Sequence, residues 1–192
     1  MNSGVRLRRA VTASARTQVR TLALSLGAMW AGFVATLVSG GALLSLGVVP
    51  RTSTGLLGVF VAPFLHANLD HLLANTVSFA VLGWMVMWRD ARHFWQVTVI
   101  SLLTAGLAAW LLGAPNSVHV GASGLVFGYL GFLMLSGWYT RTFAAIAISV
   151  LVTAAWGSLV FGVLPGTPGV SWPSHLGGFA GGVLMARAYR RS

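Results

Sequence analysis

The sequence predicts an all-α fold: a polytopic membrane protein built as a bundle of six membrane-crossing helices. Three observations predict it. Of the 192 residues, 56% are hydrophobic and only 7% are charged, against about 25% charged residues in soluble domains. Polar side chains are therefore too few to clothe a water-facing surface. The apolar residues recur in stretches of about twenty, the length that crosses roughly 30 Å of hydrocarbon. The twelve basic residues, all of them Arg, stand at the ends of those stretches, where membrane proteins keep their positive charge. The length suits one domain. The net charge of +10 forms no single patch interleaved with aromatics, so no nucleic-acid partner is expected. The absence of cysteine excludes disulfides, thiolate nucleophiles and thiolate metal sites.

The elements follow in chain order. Residues 1–20 carry Arg6, Arg8, Arg9, Arg16 and Arg20 among Ser, Thr and Ala. This composition is shared with mitochondrial transit peptides, but it reads here as a mobile basic cytoplasmic segment preceding a six-helix domain over 21–192. Span 1 is expected from about Leu22 to Leu46. The run from Gly55 to Trp88 is too long for one crossing, and Pro63 with the polar cluster His66 to His71 divides it. Gly55–Leu65 is expected as an apolar loop at the interface. Asn68 suits an N-cap, so span 2 is expected over Leu69–Trp88. Span 3 covers Phe94–Leu112, span 4 Gly121–Tyr139, span 5 Phe143–Leu164 and span 6 Pro173–Tyr189. Six crossings put both termini on one side. Eleven of the arginines fall in the two terminal segments and the even loops, and only Arg51 falls in an odd loop. Both termini are accordingly expected in the cytoplasm.

Ionisable groups inside a bilayer are costly and are functional candidates by default. Here they are few: His66, Asp70 and His71 at the start of span 2, and His175 at the start of span 6. His119 is expected in the outer loop before span 4. Spans 2, 4 and 6 all start on the non-cytoplasmic side, so His71, Asn75, Ser123 and His175 share one membrane depth.

Three motifs supply them. Gly121-Ala-Ser123-Gly124 opens span 4, where flanking glycines allow a tight turn, and Gly124, Gly128 and Gly131 continue as a small-residue stripe. In span 6, His175 is followed on its own face by Gly178 and Gly182. If the two stripes pack together, Ser123 meets His175. A Ser in a membrane helix is ordinarily bonded to its own backbone, and a lone His ordinarily bridges helices. Paired at one depth, they suit nucleophilic catalysis, the imidazole taking the Ser proton and returning it to a leaving amine. The third motif is His66-x4-His71-x3-Asn75. His71 and Asn75 lie four apart on one face and can donate to an oxyanion, as can the Ser123 amide. No metal site is expected, since the only acids are Asp70 and Asp90 and the latter falls in a cytoplasmic loop. Asp70 points about 100° away from His71 and suits a helix N-terminus, so a two-residue dyad is expected rather than a triad.

Together, in this order and on these spans, the motifs resemble the rhomboid family of intramembrane serine proteases. The resemblance covers about Leu22 to Tyr189. It implies a six-helix rhomboid-like bundle with Ser123 as nucleophile and His175 as base and acid. His71, Asn75 and the Ser123 amide, with Gly121 beside them, would form the oxyanion and substrate-binding site. His66, Phe127, Gly178 and Gly182 would be supporting residues, Phe127 stacking on the His175 ring. It implies no cofactor, transmembrane proteins as substrates and the lipid bilayer as surroundings, in a bacterial plasma membrane; it leaves the oligomeric state open. The chain departs from the family in lacking a Trp-Arg pair shortly before His66, where Leu57-Gly58 stands; its only such pair, Trp88-Arg89, is on the cytoplasmic side. With no seventh span or sizeable soluble domain, it resembles the minimal bacterial-type core.

The expected reaction is peptide-bond hydrolysis in or next to a transmembrane segment, with Pro165–Pro173 as a flexible cap. The rival readings are a catalytically inactive rhomboid-like factor that binds membrane proteins in quality control, a small transporter or channel, and a scaffold. The first does not need both Ser123 and His175. A transporter would place its polar residues at mid-membrane. A scaffold leaves the polar layer unexplained.

Overall fold

The computed structural model describes residues 3–89 and 91–191, and the side chains of 14–88 and 92–190. Seven α-helices make up the described residues: α1 (Ser3–Val38), α2 (Ser53–Val61), α3 (Leu69–Arg89), α4 (Ala91–Leu112), α5 (Ser123–Thr140), α6 (Phe143–Trp156) and α7 (Trp172–Ala188). Short 3-10 segments link them, and the one β feature among these residues is an isolated antiparallel bridge between Val48 and His119.

The first helix departs from expectation at both ends. It continues back to Ser3, so the basic leader is helical. Between Val5 and Leu26 the chain has neither Gly nor Pro, and Ala, Arg and Leu favour helix. It stops at Val38 rather than Leu46 because Gly40 and Gly41 turn left-handed, with φ of 61° and 87°. Residues Ala42–Leu46 then form a 3-10 turn.

The stretch expected as an interfacial loop is a helix. The Thr52 hydroxyl accepts the Gly55 N–H at 3.0 Å, which caps α2. Its glycines pack against the preceding chain: a Cβ on Gly55 would lie 1.9 Å from the Val49 carbonyl, and one on Gly58 2.2 Å from that of Gly47. Pro63 follows in a 3-10 turn. The start of α3 agrees with the sequence, since the Asn68 side chain accepts the His71 N–H at 2.8 Å.

Four stretches of the described residues are long and apolar enough to cross a membrane: Ser14–Val38, Leu69–Trp88, Arg92–Leu112 and Phe143–Val163. Spans 4 and 6 of the sequence reading fall outside this set. They correspond to α5 and α7, which have 18 and 17 residues and are rich in glycine. Both lie inside the bundle. Helix α5 is buried continuously from Gly124 to Leu133 and packs on α3, α4, α6 and α7.

Helix α7 is wedged between α4 and α5 by its paired glycines. A Cβ on Gly178 would lie 2.0 Å from the Gly124 carbonyl oxygen, and one on Gly182 1.9 Å from that of Gly128. On the other face, a Cβ on Gly177 would lie 2.3 Å from the Thr104 carbonyl of α4. Close backbone approach through small residues is how membrane helices associate without a hydrophobic driving force between them. Below this seam Phe79, Phe94 and Tyr129 form an aromatic cluster with centroids 5.3–6.1 Å apart, and the Tyr129 hydroxyl is 2.7 Å from that of Thr98.

Candidate active site

Ser123 is the first residue of α5. Gly121 precedes it with φ of 106°, a conformation essentially closed to residues with a side chain. Its missing Cβ also makes room for α3, since a Cβ there would lie 2.5 Å from Cε1 of His71. The turn thus seats the start of α5 against the His71 ring and leaves Ser123 at a helix N-terminus, where amides lack helical partners.

His175 lies one turn into α7 and is buried. Its Nε2 is 2.8 Å from Oγ of Ser123. Its Nδ1 is 3.0 Å from the carbonyl oxygen of Gly162, in the 3-10 segment Gly157–Val163 that continues α6. A carbonyl only accepts, so Nδ1 carries the proton. In the neutral ring Nε2 is then the acceptor, and the Ser123 O–H donates to it. The Phe127 ring stacks on the imidazole at 4.0 Å between centroids and 9° between planes. The ring is therefore fixed by an in-plane bond at each nitrogen and by an aromatic face.

Around Ser123 the structure gathers His71, His66, Gly121 and Phe127. His66 is fully buried, meets His71 edge-on at 5.1 Å, and accepts the Ala122 N–H at Nε2 across 3.5 Å. Asn75 is buried on α3. Its Nδ2 donates to the His71 backbone carbonyl at 2.8 Å, which uses one of its two amide hydrogens. Asp70 is exposed in the first turn of α3, and the place an acid would take on His175 belongs to the Gly162 carbonyl. Among the described residues no group of His, Cys, Asp or Glu is arranged to hold a metal ion.

Two features of the site have no signature in the sequence. Gly162 acts through a backbone carbonyl, which any residue carries. His119, in the loop before α5, joins three segments. Its Nδ1 is 2.6 Å from the Ser171 hydroxyl and its Nε2 is 3.0 Å from that of Ser117, while its backbone pairs with Val48. Burial lowers its pKa from the ordinary value. Ser171 immediately precedes α7, so His119 ties the entrance of α7 to that of α5.

Known proteins are similar to this chain. The Rhomboid domain matches residues 53–192. An uncharacterized protein of Mycobacterium tuberculosis is 39% identical over 157 residues, 78% of this chain and 65% of that protein. RHOMBOID-like protein 1 of Arabidopsis thaliana is 30% identical over 134 residues, 66% of this chain and 33% of the plant protein. Rhomboid-type serine protease 2 of Emericella nidulans is 29% identical over 144 residues, covering 69% of this chain and 27% of the fungal protein. The matched region thus spans about two thirds of the mycobacterial relative and a third or less of the others. With the Rhomboid domain matching most of its length, this integral membrane protein belongs to the rhomboid family.

Proposed function

We propose that the chain is an intramembrane serine endopeptidase that cleaves peptide bonds in or next to transmembrane segments of membrane proteins. One observation carries this reading: Nε2 of His175 lies 2.8 Å from Oγ of Ser123 while Nδ1 is held by the Gly162 carbonyl. That arrangement suits a nucleophile and a base already in the acceptor tautomer. Oγ attacks the scissile carbonyl carbon as its proton passes to Nε2. The C–O bond to Ser123 forms and the carbonyl π pair moves to oxygen. The resulting imidazolium returns the proton to the leaving amine as the C–N bond breaks. Water then repeats the sequence on the acyl-enzyme, with His175 again as base. The oxyanion would be met by the Ser123 amide, the His71 ring and the remaining hydrogen of Asn75 Nδ2. Gly121 keeps His71 close.

In this reading all six long helices cross the membrane, the termini are cytoplasmic, and the site opens toward the opposite face. The name of the fungal relative, a serine protease, supports the reaction class. A fluorophosphonate probe tests the dyad. The detergent-purified chain should be labelled at Ser123. Ser123→Ala should abolish labelling, and His175→Ala should reduce it to background while the helical circular dichroism persists. Labelling that survives either substitution would overturn the assignment.

A further inference from the structure

A second serine–histidine bond lies beside the first. His119 stands four residues before Ser123, and Ser171 four residues before His175. Nδ1 of His119 is 2.6 Å from the Ser171 hydroxyl, as Nε2 of His175 is 2.8 Å from that of Ser123. The two bonds are rungs between the same two segments, 119–123 and 171–175, with ring and hydroxyl exchanged. The proposed proteolysis uses only the inner rung.

The polarity of the outer rung follows from its neighbours. The Ser117 hydroxyl donates to the Ala114 carbonyl at 2.7 Å, so its oxygen faces Nε2 of His119 as an acceptor and Nε2 carries the ring proton. Burial lowers the His119 pKa and favours the neutral ring. Nδ1 is then bare, and the Ser171 O–H donates to it. Ser171 is also the N-cap of α7, where a serine side chain ordinarily accepts an N–H of the first turn. It makes no such bond here and is turned to His119 instead.

The two ends of this rung are held unequally. The His119 N–H and carbonyl pair with Val48 at 2.9 Å each, and the Gly121 N–H donates to the Ala62 carbonyl at 2.8 Å. The segment 164–169 that leads to Ser171 is exposed and turns through left-handed Gly166 and Gly169, with φ of 119° and 75°. It offers little to fix where α7 begins. The Ser171 carbonyl, however, accepts the His175 N–H at 3.1 Å, so the residue that meets His119 also opens the turn that carries the His175 ring.

We infer that His119 is a positioning residue for the Ser123–His175 pair: its bond to Ser171 sets how closely the starts of α5 and α7 stand, and through them the approach of Nε2 to Oγ. The inference rests on the proteolytic reading of that pair. The full chain in detergent is assayed for steady-state cleavage of a single-span reporter and, with 15N-labelled histidine, by NMR. His119→Phe keeps a ring without nitrogens, and Ser171→Ala removes the other end. Each should lower kcat about tenfold, since small misplacements of reacting groups are costly, with KM and apparent Tm nearly unchanged. The double variant should be no worse than either single one, because both break one bond. His119→Asn, whose side-chain oxygen can accept the Ser171 hydroxyl, should recover most of the loss. Ser117→Ala leaves the outer rung in place and should cleave like the wild type. His119→Phe and Ser171→Ala should also move the 15N resonance of His175 Nε2, and Ser117→Ala should not. If His119→Phe fails to fold, Ser171→Ala decides. The inference is overturned if Ser171→Ala cleaves like the wild type, if the loss appears only in KM, if His119→Asn is no better than His119→Phe, or if the His175 resonance stays in place. A folded wild type that cleaves nothing would instead contradict the proteolytic reading, and the His175 resonance would then decide the positioning role by itself.

Discussion

His175 illustrates how much of a candidate catalytic residue is decided by atoms with no side-chain identity. Its type and its spacing to Gly178 and Gly182 are visible in the sequence, and so is Ser123 between two glycines. The Gly162 carbonyl that fixes its tautomer is not, because its position depends on how the 3-10 segment after α6 folds back over α7. The same residue offers a test. A Cβ on Gly162 would stand 3.0 Å from Cζ of Phe127 and 3.2 Å from Nδ1 of His175, so Gly162→Ala should displace both rings by a few tenths of an ångström. The predicted result is a loss in kcat of up to about tenfold with KM and apparent Tm nearly unchanged, read from steady-state cleavage. Gly121→Ala should behave differently. It meets both a forbidden φ and the His71 ring, so it should destabilise the fold by about 1–3 kcal/mol as well as slow the reaction. Thermal unfolding in detergent separates the two effects.

The elements divide by what wrote them. Helices α3, α4 and α6 were legible because each is a long apolar run with a recognisable cap or charged end. Helix α2 was not. Gly55, Gly58 and Pro63 have the composition of a loop, yet the two glycines are packing surfaces against the backbone of residues 47–49. The same residue type shapes the α5–α7 seam, where the stripes Gly124/Gly128 and Gly178/Gly182 were readable because they repeat every four residues. Gly178→Ala would drive a Cβ into the Gly124 carbonyl and separate the two helices that carry Ser123 and His175. It should lower stability by about 1–3 kcal/mol and abolish cleavage. Gly157→Ala, whose Cβ would meet only Cγ2 of Thr153 at 3.5 Å, should be neutral in the same assay. Helix α6 is held far more lightly, with only Ala145, Ser149 and Val152 buried. The Ser149 hydroxyl accepts the Gly137 N–H at 2.9 Å and donates to the Leu133 carbonyl at 2.6 Å, so it reaches both members of an i, i+4 pair in α5. Ser149→Ala should loosen α6 by about 1 kcal/mol, visible as a lower apparent Tm and faster hydrogen exchange in α6.

At the scale of the molecule, composition alone separated this chain from soluble proteins, and the arginine bias predicts an orientation that the structure does not test. The crossings by α5 and α7 belong to the proposed topology, because these glycine-interrupted helices of 18 and 17 residues fall outside the four stretches long and apolar enough to cross a membrane. Helix α5 is buried along most of its length, and the glycines of α5 and α7 let those two helices approach closely, while α6 keeps only Ala145, Ser149 and Val152 buried. The cysteine-free sequence makes the topology simple to test. Thr167→Cys, in the segment before α7, should react with a membrane-impermeant maleimide on intact cells, and a cysteine at Arg141 should react only after permeabilisation. The central claim concerns chemistry, and one measurement reaches it most directly: cleavage of a single-span reporter protein by the full chain reconstituted in liposomes, beside Ser123→Ala and His175→Ala. The predicted result is cleavage within or beside the reporter's span by the wild type and none by either variant, with both variants still folded. Cleavage that persists in Ser123→Ala, or a folded wild type inert toward every span offered, would contradict it.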